Sequence, residues 1–294
     1  MGSRRSTAGS ETMTDVGAAI GLVVRHGRES DPLASAIIRA IAGPLVAAGL
    51  RFITRSVDDE EAELRAYRLW ARVGGIAGVI VLGTADDDPR IRLLRQIDLP
   101  FVALTRADLD VDCPAVTVDA AAASNALIGY LHGHDARRWV YVTTDELGEP
   151  FVEDSPASDL PEEARTFEVV RSADVVAEAV AIGVGASGGA ATADSGPAAL
   201  ILDNDRDAVA VLDALQELGV AVPDAVSLIC WSDSLVCQSA SPPITAIDRH
   251  GREIGELLGA AAIAAVQAAG RPDRADAAPR IPAPAPLVVE RQTT

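Results

Sequence analysis

The sequence predicts an α/β protein built as two Rossmann-like lobes with a central cleft. Short apolar runs alternate with amphipathic helical stretches along most of the chain, and that alternation specifies parallel sheets covered by helices on both faces. The repeats outnumber what one open sheet holds comfortably, so a division into two lobes is expected near the run AVTVD at 115–119. At 294 residues, 49% of them hydrophobic, the chain can fill a core in each lobe.

The run AIGLVV at 19–24 fits a buried parallel strand. The helix after it has Asp31 in capping position and Pro32 in the first turn, where a missing N–H costs nothing. Leu33, Ile37, Ile41 and Leu45 recur four apart as its buried face. Gly43-Pro44 inside that stretch predicts a kink or a division into two helices, and Gly49 a stop. The plan repeats with LRFITR (50–55) as strand, 58–74 as helix with four acids at its start, where the dipole favours them, and AGVIVLG (77–83) as strand. A short helix over 87–99, strands at 101–105 and 115–119, and a helix over 121–133 follow. Further on, 137–144, 198–203, 226–231, 244–247 and 287–290 read as strands, with helices over 173–184, 206–219 and 252–269. The acidic 148–165, the Gly-rich 185–196 and the Pro-rich 271–286 are expected to be irregular.

Bulk properties narrow the function. A formal charge of -18 repels nucleic-acid backbones at long range, and with aromatics at 3% few rings can stack on a sugar or a base. Cys113, Cys230 and Cys237 form no CxxC pair and no metal-ligand spacing, so reduced structural thiols in the cytoplasm are expected. Residues 1–19 are polar and small, a disordered leader rather than a secretory signal, and no apolar run is long enough to span a bilayer. No GxSxG, Walker, zinc or dinucleotide pattern appears, so no catalytic residue, metal or cofactor is expected. The acids Asp86, Asp87 and Asp88 read as solvated helix-start residues.

Ordered landmarks then accumulate: IGLVV at 20, DPLASAIIRAI at 31, GIAGVIVLG at 75, LPFVALTR at 99, VTVDAAAA at 116, YLHGH at 130, ILDNDRDAVAVLDALQELGVAVPDAVSLICWSD at 201, SPPITAI at 241 and PLVVERQTT at 286. In order and spacing they resemble the LacI/GalR family of bacterial transcriptional regulators. The resemblance implies a periplasmic binding protein-like type I core: two lobes joined by three crossovers, a small polar effector (sugar, polyol or nucleoside-like) in the cleft, and a homodimer along the flank. It implies a first lobe of 20–117 plus 246–285 and a second of 118–245 plus 286–294. Relatives carry an N-terminal helix-turn-helix domain, whereas the stretch before the first strand here holds Arg4 and Arg5 as its basic residues. DNA contact is therefore expected only where such a domain is supplied. Two readings of the function stand: a small-molecule effector-sensing domain working by lobe closure in a dimer, or a protein-interaction relative with a degenerate pocket.

The resemblance places ligand contacts at the C-terminal ends of strands, where open parallel sheets bind ligands. The family's Asn-Pro-Phe-Phe is Asp31-Pro32-Leu33-Ala34 here, which removes two rings and leaves Asp31 facing the cleft or capping a helix. Asn204 matches a family ligand position or forms a structural pair with Asp205, which is expected to cap the helix from Arg206. The family's Gly-Phe-Asp-Asp is Cys230-Trp231-Ser232-Asp233. Ser232 offers one bond where a carboxylate offers two, and Trp231 is either a cleft aromatic or a core indole. Arg106 reaches the crevice or pairs with Asp108 or Asp119, and His26 stands just past the first strand. The candidate ligand-binding set is thus His26, Asp31, Arg106, Asn204, Trp231, Ser232 and Asp233.

Overall fold

A computed structural model describes residues 18–26, 32–134, 138–144, 167–187, 198–269 and 279–294. The first lobe begins with β1 (Ala19–Arg25), α1 (Pro32–Ala47), β2 (Arg51–Val57), α2 (Glu60–Val73), β3 (Ile76–Leu82), α3 (Pro89–Gln96), β4 (Phe101–Arg106) and β5 (Ala115–Val118). The second takes α4 (Ala120–His132), β6 (Arg138–Thr143), β7 (Phe167–Arg171), α5 (Val175–Ser187), β8 (Ala198–Leu202), α6 (Asp205–Glu217), β9 (Val226–Cys230), α7 (Leu235–Ser239) and β10 (Thr245–Asp248). The chain then returns: α8 (Gly251–Ala268) and β11 (Arg280–Pro282) join the first lobe, and β12 (Leu287–Val289) the second.

Each lobe holds a six-stranded sheet, ordered β11-β5-β4-β3-β1-β2 and β12-β10-β9-β8-β6-β7. All pairings are parallel except β10 with β12. The strands are nearly continuous apolar runs because helices cover both faces. The chain passes between the sheets at three places: after β5, after β10 and between β11 and β12. This is the two-lobed architecture the alternation predicts.

One boundary shifts. A first-lobe return is expected from residue 246, but Thr245 and Ala246 pair with Ile229 and Cys230 of β9, and 246–248 pair with β12. The second lobe therefore keeps the chain through Asp248, because an earlier boundary would cut a hydrogen-bonded strand in two.

Other departures have local causes. Helix α1 continues through Pro44 rather than dividing, and Pro44 Cγ lies 3.2 Å from where a Cβ on Gly259 would stand, so the glycine gives the ring its room. The Pro-rich stretch supplies edge strand β11, whose Arg280, Ile281 and Pro282 align with Ala115, Val116 and Thr117. Proline is tolerated at a sheet edge because no strand beyond it needs the missing N–H. Strand β7 and the single-turn helix α7 were not expected either; Ser234 Oγ caps α7 by accepting from Val236 N (3.2 Å) and Cys237 N (3.3 Å). The expected irregular segments 148–165 and, for the most part, 185–196 lie outside the described residues.

In the first lobe, α1 and α8 pack on one sheet face around Ile37, Ile41, Leu45, Ile254 and Leu258. Gly251, Gly255 and Gly259 recur four apart on α8, and a Cβ on Gly255 would run into the Ile37 carbonyl, so the two backbones approach as closely as helices can. Val23, Tyr67, Val79 and Leu94 fill the opposite face. The second lobe has matching cores around Val142, Leu200, Leu212 and Leu228 on one face and Leu127, Tyr141, Ile229 and Trp231 on the other. Its sheet is completed by the last residues: Thr293 Oγ1 donates to Leu228 O (2.6 Å) and accepts from Thr245 N (2.9 Å).

Candidate functional site

The C-terminal edge of the second sheet gathers a polar cluster on rings. Tyr141 of β6 donates its hydroxyl to Asp203 Oδ1, and Thr143 Oγ1 donates to Asp203 Oδ2 (2.6 Å). Asp203 directly follows β8, so the end of a buried strand delivers it there. Burial, followed by the Asp203 charge and hydrogen bond, pushes the Tyr141 phenol well above its usual range, so it stays a donor. The Tyr141 ring meets Trp231 edge-on at 6.4 Å, and the Arg249 guanidinium lies 5.7 Å from the indole centroid. Arg249 Nη2 donates to Ser232 Oγ (2.7 Å), while its buried Nε has no acceptor.

Arg249 sits in the second crossover and also lines a cavity of about 120 Å³. Every crossover contributes to its wall: Asp119 from the first, flanked by Val118 of β5 and Ala122 of α4, Arg249 from the second, followed by Ile254 of α8, and residues 283–286 from the third. Leu33 and Ile37 of α1 and Leu104 of β4 complete an apolar lining. The cavity is thus bounded at all three segments that link the two sheets.

The facing edge of the first lobe is different. Glu63 of α2 and Arg90 of α3 are 2% and 5% exposed. Arg90 binds Asp88 through Nε (3.0 Å) and Nη2 (2.6 Å), approaches Glu63 Oε1 (3.5 Å) and donates to the carbonyls of Leu82 and Gly83. Tyr67 donates to Glu63 Oε1 (2.7 Å), and Arg25 Nε lies 3.4 Å from Glu63 Oε2. Burial pushes the Asp88 carboxyl up, but the hydrogen bonds and charge of Arg90 outweigh it and hold the group below its usual value. Asp88 is thus a buried cap that accepts from Arg90 N (2.9 Å), not the solvated acid expected, because Arg90 folds back over it.

The sequence-named candidates divide among these places. Trp231 and Ser232 are buried and joined through Arg249. Asp233 turns toward the chain end, with Oδ2 on Arg291 Nη2 (2.8 Å) and a buried Oδ1 that has no donor. Asn204 caps α6: its Oδ1 accepts from Asp207 N (2.9 Å) and its Nδ2 donates to Asp207 Oδ2 (2.8 Å). The helix begins at Asp205, so Asn204 takes the cap expected of Asp205. Arg106 Nε and Nη2 hold Asp108 at 3.0 and 2.6 Å, choosing Asp108 over Asp119. His26 is exposed, with Nε2 3.4 Å from Asp58. Asp31 lies outside the described residues. His134 Nδ1 bonds Tyr130 O (2.8 Å) just past the end of α4.

Tyr141, Thr143, Asp203 and Arg249 escaped the sequence reading. Thr143, Asp203 and Arg249 stand at or just past the end of an apolar strand, the position the parallel-sheet rule selects, and Tyr141 lies two residues before the end of β6. Among the described residues no group of His, Cys, Asp and Glu could hold a metal ion, and no helix is long and apolar enough to cross a membrane.

The periplasmic binding protein-like domain family matches residues 128–294. The chain is 27% identical over 205 residues to the HTH-type transcriptional regulator GalR of Lacticaseibacillus casei, a match covering 62% of this chain and 58% of that protein. It therefore spans less than two thirds of that relative's length. A LacI family transcriptional regulator from Bifidobacterium animalis superposes with a TM-score of 0.73 at 24% identity, covering 94% of this chain and 97% of that one. A periplasmic binding protein/LacI transcriptional regulator from Alkaliphilus metalliredigens, solved with D-xylulofuranose, superposes with a TM-score of 0.64 at 18% identity, covering 95% and 99%. At these identities the structural likeness is one of fold.

Proposed function

This chain belongs to the periplasmic binding protein-like family, and from that premise we propose that it is a core of the LacI/GalR regulator type that senses a small polar effector by closing its lobes within a cytoplasmic homodimer, without catalysing a reaction. The observation that carries this reading is the cavity walled by all three crossovers and joined through Arg249 to the Trp231–Ser232 cluster. A ligand filling that space favours the lobe arrangement that encloses it, and differential affinity for two arrangements is what moves the equilibrium. The contacts we assign to the ligand are His26, Asp31, Arg106, Asn204, Trp231, Ser232 and Asp233. DNA contact enters through a helix-turn-helix domain acting with this core.

Thermal-shift measurements with pentoses, hexoses, polyols and nucleosides, paired with small-angle scattering, test the proposal. The expected result is stabilisation by one class together with a smaller radius of gyration. Stabilisation without any change in dimensions refutes lobe closure.

A protein-interaction role is the second reading, favoured by exposed apolar side chains on the second lobe's flank: Leu235 is 79% exposed, and its neighbour Val236 and Leu218 are exposed as well. Sedimentation distinguishes the cases. A dimer that L235D dissociates supports pairing through this flank, whereas a wild-type monomer at high concentration removes it.

A further inference from the structure

We infer that the crossover cavity takes a small aliphatic carboxylate, its hydrocarbon part among Leu33, Ile37, Leu104 and Ile254 and its carboxylate on Arg249. This deepens the sensing proposal and rests on it. The lining is almost wholly aliphatic, so the ring of hydroxyls on a sugar would lose its water there without gaining partners. At about 120 Å³ the space is close to the ~150 Å³ at which an apolar cavity admits a benzene-sized molecule. A branched chain of about four carbons fits that volume, with its polar head left at the rim.

Arg249 decides the class. Its guanidinium is held between the Trp231 face and Ser232 Oγ, both neutral, and among the described residues no carboxylate pairs with it. Its Nε–H is buried without an acceptor. A permanently charged group fixed against an apolar wall, with a donor to spare, binds an oxyanion better than it binds a hydroxyl. Asp119, the acid on the same wall, is exposed and already accepts from Ala121 N (3.0 Å) as the cap of α4.

Calorimetry with isovalerate, isovaleramide and D-xylose tests this on the full chain. The amide is nearly isosteric with the acid but uncharged. Isovalerate is expected to bind at least tenfold more tightly than the amide. R249Q should erase that difference, and A122L, which fills the cavity and leaves Arg249 in place, should abolish binding of both. Circular dichroism melting of the variants separates lost binding from lost folding. Equal affinity for acid and amide, or isovalerate binding that survives both substitutions, overturns the carboxylate assignment. Binding of D-xylose with silence from isovalerate overturns it too, while leaving effector sensing standing. Silence from every compound in this and the wider ligand screen overturns both.

Discussion

The two lobes share a topology yet spend their charges differently at the edges that face the cleft. In the first, Arg25, Glu63, Asp88 and Arg90 pair with one another, with Tyr67 closing the group. In the second, Asp203 is held by two neutral hydroxyls, and Arg249 by a hydroxyl and an indole face. A balanced buried network is committed to structure, because breaking it strands a charge in a low dielectric. Among the described residues neither the Asp203 carboxylate nor the Arg249 guanidinium has a counter-ion, which under the proposal leaves both to a ligand. Under the sensing proposal, one lobe serves as the fixed jaw and the other presents the chemistry.

The strongest way to break this contrast is R90M. It strands Asp88, takes one of its two arginines from Glu63, and is expected to cost about 3–5 kcal/mol in urea unfolding. A loss below about 1 kcal/mol would mean that the first-lobe network is as loosely held as the second-lobe cluster. The same network predicts a pH dependence. The Asp88 carboxyl titrates below its unfolded counterpart, so its stabilisation is complete above about pH 4–5 and is lost as pH falls through the lower folded value. The stability difference between wild type and D88N should therefore shrink between about pH 5 and pH 3; a difference that is constant over that window contradicts the assignment.

G255A probes the scaffold behind the fixed jaw. The added methyl meets the Ile37 carbonyl and pushes α1 from α8 at about 1–3 kcal/mol, partly offset by about 1 kcal/mol of helix propensity. Thermal denaturation that shows a gain would place the two helices farther apart than described.

The second lobe should respond more mildly. N204A removes a helix cap, worth about 1 kcal/mol. If that drop comes with ligand response intact, Asn204 is a cap. If the response is lost while the unliganded melting point holds, it is a ligand contact. Smallest of all is D203N, which keeps an acceptor oxygen for one of the two hydroxyls and turns an amide N–H to the other, whose oxygen can accept it, and should change stability by under about 1 kcal/mol. A collapse of stability in D203N would erase the difference between the lobes.

Much of the scaffold was legible because parallel strands buried on both faces are written as unbroken apolar runs, and AIGLVV, VSLICW and ITAI needed no tertiary information. β11 was not, since its prolines signal irregularity and its place depends on the edge of β5, far away in sequence. The site was half legible. Trp231 and Ser232 lie in a recognisable segment, but Arg249 is an isolated arginine between a strand and a helix, and only folding sets it on the indole. Arg90 and Glu63 were hidden for the same reason: each reads as a polar residue on a helix, and burial makes them partners.

The late return of α8 and β11 to the first lobe has a consequence for biosynthesis. As the chain leaves the ribosome, β1 to β5 emerge with α1, yet the face of α1 that carries Leu33, Ile37, Ile41 and Leu45 stays uncovered until Ile254 and Leu258 arrive after the whole second sheet. The first lobe is thus begun before the second and finished after most of it. During translation it exposes an adhesive stripe of the kind that recruits chaperones or aggregates, so slow elongation through the second lobe prolongs the most vulnerable interval in this protein's life.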